Sequence, residues 1–184
     1  PVFCRIDFGN ARGVIGESHP CVVVANHNGL FDSWIGVALM NHVRPLRLLT
    51  AMKSQYLELP YVGRLLGMIG FVPVPPERSG KVAAFRGWAA LMQGGSASLL
   101  LTPEGRITRA TAEGTAFARG PEVLHRLTGA SVIVLAVTGS QAVIPFGRRR
   151  PRIGFRRPTI TMVARAMDTS VGLSTSTIVA ALVD

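Results

Sequence analysis

The sequence predicts an α/β fold, a single-domain sandwich with a mixed, mostly parallel central sheet flanked by helices. Three observations carry that expectation. Short apolar, β-branched runs alternate along the chain with segments whose apolar residues recur at three-and-four spacing, the order that builds a parallel sheet with helices on its faces. The 184 residues suit one hydrophobic core, and no repeat, linker or composition shift divides residues 1–184 into more than a single domain. Hydrophobic residues make up 48% and charged residues 16%, which excludes a disordered chain and supplies apolar surface for both faces of a sheet.

In chain order, Val2–Phe8 and Cys21–Asn26 read as strands, the second an uninterrupted apolar run of the kind buried on both faces. Asp32–His42 reads as a helix. Asp32 is a good N-cap, and Trp34, Ile35, Ala38, Leu39 and His42 recur on one side. Leu46–Ala51 is strand-like, Tyr61–Met68 is a short helix opened by Pro60, and Phe71–Val74 is a short extended segment broken by prolines. Lys81–Gln93 places Val82, Phe85, Ala89 and Met92 on one stripe and reads as a helix. Ala97–Thr102, Val132–Val137 and Thr159–Ala164 complete the strands, with Pro121–Leu127 helical between two of them. Ser174–Leu182 is a last helix with a Ser/Thr start. Such sheets carry their chemistry at the carboxyl ends of strands, so the loops after Asn26 and Thr102 matter most.

Charge narrows the partners. The chain holds 20 Lys and Arg against 10 Asp and Glu, a net charge of +10, and only Lys53 and Lys81 are lysines. Val123–Met167 contains eight arginines and no Asp, Glu or Lys. Such a zone favours an anionic partner: phosphate, lipid headgroups, nucleic acid or an acidic carrier protein. The planar guanidinium leans toward phosphate or carboxylate, which it binds bidentately. The plainer alternative is a solvated face. Cys4 and Cys21 are too few for a disulfide scaffold and lack metal-ligand spacing, the pattern of a reducing compartment. The longest uncharged run, Leu127–Gly147, could span a bilayer by count, but Gly129, Gly139, Gln141 and Pro145 interrupt it. A buried strand over Val132–Val137 explains it better. The cysteine usage makes the cytoplasm the expected location, with a peripheral place on the inner face of the membrane open to it.

Two loops hold residues suited to chemistry. In Asn26-His27-Asn28-Gly29-Leu30-Phe31-Asp32, a strand runs directly into His27 and a helix begins at Asp32. A turn between them can lay the carboxylate on one imidazole nitrogen while the other faces a cleft, the base-and-orienter half of a triad. No Ser or Cys nucleophile is set beside the pair by sequence, so the substrate would supply the nucleophile. The competing reading is a capping Asp and an incidental His. His19, His42 and His125 have no such partner and read as surface or satisfied core histidines. In Thr102-Pro103-Glu104-Gly105-Arg106-Ile107-Thr108-Arg109, the two arginines could clamp a phosphate around a glycine, or the loop is an ordinary polar turn.

Together, Asn-His-x-x-x-x-Asp after one strand and Pro-Glu-Gly-Arg after another resemble the glycerolipid acyltransferase family, which includes the lysophosphatidic acid acyltransferases. The resemblance spans about Cys21 to Gly147. Lys53, Pro60-Tyr61-Val62-Gly63 and Gly70-Phe71-Val72 are similar to the stretch leading into the family's second motif, and Phe117-Ala118-Arg119-Gly120 to its Phe-Lys-x-Gly element. Val132–Val137 is similar to its fourth motif, the apolar strand linked to acyl-donor binding. The resemblance implies a glycerol-phosphate acyltransferase-like fold and an acyltransferase of lipid metabolism. It would move a fatty acyl group from an acyl-CoA or acyl carrier protein thioester to a hydroxyl of a lysophospholipid-like acceptor. His27 would be the general base, Asp32 its orienter, and Glu104, Gly105 and Arg106 part of the acceptor site, with Arg78 standing for the second-motif arginine. The thioester is a co-substrate; no cofactor and no metal are implied.

Departures from the family pattern sharpen the acceptor question. Pro76 stands where the second motif usually has its Arg, Arg106 and Ile107 replace the Thr-Arg of the third, and Ser131 and Leu135 replace prolines of the fourth. These leave a non-phosphorylated alcohol or an amine open as acceptor. The family's N-terminal membrane-associating helices have no counterpart in residues 1–184. A second class of function, a basic nucleic-acid-binding domain, rests on Arg148–Arg157 with Phe155 to stack on a base. With aromatics at 7% and no recognised motif, that run is better used to dock an anionic membrane surface or an acyl carrier protein, and no specific nucleic acid is expected.

Overall fold

The computed structural model describes residues 4–27, 32, 34–42, 47–103, 118–143, 157–168, 177–178 and 180–181. The described strands are β1 (Arg5–Asp7), β2 (Cys21–Ala25), β3 (Leu48–Lys53), β4 (Phe71–Val74), β5 (Ser98–Leu101), β6 (Ser131–Thr138) and β7 (Thr159–Ala166). They form one seven-stranded sheet in the order β1-β7-β6-β2-β5-β3-β4. Strands β2 to β6 run parallel, β7 is antiparallel to β6, and β1 is parallel to β7. The sheet is therefore mixed and mostly parallel, as its long apolar runs imply.

The helices are α1 (Ala11–Glu17), α2 (Ile35–His42), α3 (Ser54–Leu57), α4 (Val62–Met68), α5 (Arg78–Gln93), α6 (Gly120–Thr128) and α7 (Ser140–Val143). Period-two geometry sends alternate strand residues into separate cores. Cys21, Val23 and Ala25 of β2 join Ile133 and Leu135 of β6 beneath Ala11, Ile15, Leu39 and Val143. Val22 and Val24 join Leu99, Leu101 and Val134 beneath Trp88, Met92 and Leu124. Each fully buried Val, Leu, Ile or Met contributes about 1.5–3 kcal/mol, and β2 is held by the cores on both of its faces.

Observed boundaries differ from expectation by a few residues at most, with three additions. Helix α1 lies between the first two expected strands; Gly13 and Gly16 weaken its helical signature, yet Ala11 and Ile15, four apart, bury one face. The single turns α3 and α7 are too short for periodicity to reveal. Of the expected last helix, residues 177–178 and 180–181 are helical and Ile178 is buried, while its other residues and Val2–Phe3 lie outside the described residues.

At Gly36, helix α2 lays bare backbone against the Thr50 side chain of β3. A Cβ built on Gly36 would collide with Oγ1 of buried Thr50, and Trp34, in the turn entering α2, meets Phe71 edge-on at 6.0 Å. Gly13, in contrast, has open space around it. At the amino end of the sheet, the Ser98 hydroxyl accepts from the Cys21 N–H at 2.9 Å and lies 2.7 Å from His19 Nδ1, while His19 Nε2 is 3.3 Å from the Gly95 carbonyl. These contacts fit an Nε2–H tautomer that donates to Gly95 and accepts from Ser98. Both cysteines are free and buried, and burial pushes the Cys21 thiol up from its ordinary value, only partly offset by its contact with Ser98.

Two expectations follow for stability. Alanine gains up to about 1 kcal/mol over glycine in an open helix position, whereas overpacking costs roughly 1–3 kcal/mol. Gly13→Ala should therefore raise the urea midpoint and Gly36→Ala lower it, with added Thr50→Ala restoring part of the loss; a Gly36→Ala variant as stable as the parent would refute the close approach. The folded Cys21 thiol keeps its proton at pH values where the unfolded thiol loses it. Its stability contribution is thus intact below about pH 8.5 and drains as pH rises beyond that. Urea unfolding at pH 7 and pH 9.5 should show a smaller alkaline loss in Cys21→Ala, and equal losses would contradict the assignment.

Candidate active site

The site begins where β2 ends. All five residues of β2 are buried, with β5 on one side and β6 on the other. Asn26 follows, and its carboxamide meets the backbone of β6: Nδ2–H donates to the Val137 carbonyl at 2.8 Å and Oδ1 accepts from the Val137 N–H at 2.7 Å. His27 comes next, outside the ladder.

Asp32 lies in the turn that enters α2. The structure brings its carboxylate to His27, with Nδ1 and Oδ2 3.5 Å apart; the Asp32 side chain is 1% exposed and that of His27 14%. His27 Nδ1 is shielded from solvent, so the exposure belongs to the rest of the side chain. A separation of 3.5 Å is a charge contact rather than a short hydrogen bond, and catalytic contacts are often long until substrate binds. A side chain this buried needs a polar partner, because an unpaired buried polar group is costly. The arrangement suits an imidazole that takes up a proton on Nε2 while Asp32 holds the Nδ1 side.

Strand β5 delivers the second loop beside the first. Its pairing with β2 ends at Val24↔Leu101, so Thr102 and buried Pro103 leave the sheet next to Ala25 and Asn26. The Ala118 N–H donates to the Pro103 carbonyl at 2.8 Å, joining the two edges of the segment between them. Glu104, Gly105, Arg106 and Arg109 lie outside the described residues. Arg78 is exposed at the start of α5, after β4, three strands from β2. At about 4.8 Å per strand that is roughly 14 Å sideways from the His27 strand, so Arg78 shares the end of the sheet without joining the pair.

The remaining histidines stand apart. His19 is engaged at the opposite end of the sheet, His125 Nδ1–H donates to the Ala130 carbonyl at 2.9 Å, and the His42 side chain is outside the described residues. Of the arginine run, Arg148–Arg152 and Arg156 are outside the described residues, and only Arg157 is within them. Sequence reasoning overlooked Asn26. An Asn placed between a buried β-branched run and a candidate base was the available signal.

A model of the family described as Acyltransferase matches residues 10–148, about three quarters of the chain. The matched span contains both loops and Arg78. Among solved structures, the crystal structure of the 1-acyl-sn-glycerophosphate (LPA) acyltransferase PlsC from Thermotoga maritima is similar, with a TM-score of 0.66 and 18% identity. The similarity covers 98% of this chain and 68% of that one. At that identity it is the fold that the two share. No curated protein matches the sequence.

Proposed function

The chain belongs to the acyltransferase family, and from that premise we propose that it transfers a fatty acyl group from an acyl thioester to a hydroxyl of a lysophospholipid-like acceptor, with His27 as general base. The observation that carries the proposal is the His27–Asp32 pair at the carboxyl end of the central strand. His27 Nε2 takes the proton of the acceptor hydroxyl as its oxygen attacks the thioester carbonyl. The tetrahedral intermediate expels the thiolate, the C–S bond breaks, and the imidazolium returns the proton to sulfur. Products are the ester and the free thiol. Asp32 stays ionised throughout, holding the ring and stabilising the imidazolium. The nucleophile comes from the acceptor.

The acceptor residues follow from neighbouring strands. Glu104, Gly105 and Arg106 come directly after Pro103, which leaves the sheet beside Asn26, and this supports an acceptor loop alongside the base. Arg78, at the same end of the sheet, is suited to a more distant part of an acceptor headgroup. The donor is a thioester of CoA or of an acyl carrier protein.

A lipid acceptor also favours docking at an anionic phospholipid surface. Among the described residues no helix is long and apolar enough to cross a membrane. Instead, Tyr61, just before α4, and Leu65 and Met68 within it lie at four- and three-residue spacing, at 91%, 56% and 76% exposure, with Arg64 among them. Apolar and basic residues on one face are the pattern of an interfacial segment. Helix α3 leads to this face from the carboxyl end of β3, the end of the sheet that carries His27. The net charge of +10 favours anionic headgroups.

Mass-spectrometric assay of the purified protein with acyl-CoA and acyl-carrier donors against lysophospholipid, alcohol and amine acceptors tests the reading. His27→Ala should lose on the order of 10²–10⁴-fold in turnover, and Asp32→Asn should lose less. A folded His27→Ala variant retaining more than about 10% of turnover would sink the proposed base. Transfer confined to amines or non-phosphorylated alcohols would instead correct the acceptor. For the surface, Leu65→Ser with Met68→Ser should weaken sedimentation with phosphatidylglycerol vesicles while sparing turnover of a soluble short-chain thioester. Unchanged vesicle binding would remove α4 from the docking face.

A further inference from the structure

Resting on the reading of His27 as general base, we infer that Asn26 is the positioning residue that fixes that base at the end of β2. Main-chain pairing of β2 with β6 runs from Cys21↔Ser131 to Ala25↔Leu135. Strand β6 continues to Thr138, so β2 stops pairing while its neighbour still presents backbone groups. The Asn26 carboxamide takes both groups of Val137, donating at 2.8 Å and accepting at 2.7 Å. A carboxamide carries one N–H edge beside one C=O edge, as a peptide group does, and closes the seam as one more rung.

That substitution of side chain for main chain has a consequence at the next residue. Residue 26 is anchored to β6 one step past the last main-chain pair, so His27 can turn toward Asp32 from a fixed starting point. Two in-plane hydrogen bonds restrict both the height and the rotation of residue 26, and His27 is one peptide away. Alanine offers neither bond. Aspartate offers the acceptor but sets a second oxygen against the Val137 carbonyl.

The chain contains its own control. Asn10 makes the same pair of contacts with Ala164, each 2.8 Å, beyond the end of β1. Ala164 pairs with Leu135, level with Ala25, but β1 is the edge strand, three strands and roughly 14 Å sideways from β2, so this second carboxamide lies away from His27. Losing it removes equivalent bonds without touching the base.

Asn26→Ala, Asn10→Ala and His27→Ala should be compared in Tm, kcat and donor KM. Asn26→Ala should lower kcat on the order of 10²-fold, with donor KM within about threefold, because a small misplacement of the base affects the chemical step more than donor binding. Asn10→Ala should lower Tm by a similar amount and keep kcat within about twofold. Full kcat in Asn26→Ala, or an equal kcat loss in Asn10→Ala, overturns the inference. If Asn26→Ala fails to fold, Asn26→Asp decides: its His27 ring ¹⁵N signals should move while those of His19 and His125 stay, with kcat reduced, and an unchanged His27 spectrum with full kcat overturns it. Activity in His27→Ala would bring down the base reading and this inference with it. An inactive His27→Ala beside a fully active Asn26→Ala overturns the inference alone.

Discussion

Buried backbone N–H and C=O groups need partners, and β2 meets that demand on both sides at once. It lies between two parallel neighbours with all five residues buried, so its position is set by two ladders and two hydrophobic cores together. Whatever leaves its carboxyl end starts from a fixed point. The Asn26 carboxamide carries that constraint one residue further, and His27 is the first side chain released from it. The rigid element is thus the one that presents the candidate base, while the residues that would meet the acceptor leave the adjacent strand β5.

The second constraint comes from α2. Its glycine contact with Thr50 and the Trp34–Phe71 contact set the helix over β3 and β4, and the turn that enters this helix brings Asp32 under the imidazole. The His–Asp pair is therefore assembled from two independently packed elements. Neither residue needs the other to find its place, and this is how a buried carboxylate can be kept beside an imidazole without depending on a single weak contact.

Much of this architecture is legible from the chain alone because it rests on local patterns. The β-branched runs at Cys21–Ala25 and Ser131–Thr138 and the apolar stripe of Arg78–Gln93 each announce their element within a few residues. The His27–Asp32 pairing was legible too, because one turn separates them. What escaped was non-local or too short. Pairing of Asn26 with Val137 joins residues far apart in sequence, so an Asn at the end of a buried run marks the position without naming its partner. Strand order, with β5 between β2 and β3, is a tertiary outcome of the same kind. Helix α1 was hidden by two glycines that lower its intrinsic propensity, and its burial against β6 and β7 outweighs them.

The central claim is that acyl transfer takes place at the carboxyl end of β2 around His27. A structure of the chain with a non-transferable thioether analogue of an acyl-CoA tests it most directly. The account predicts the analogue's reactive end beside His27, with room for an acceptor hydroxyl about 2.6–3.2 Å from Nε2. An analogue whose reactive end lies at the amino end of the sheet, near His19 and Ser98, would contradict it.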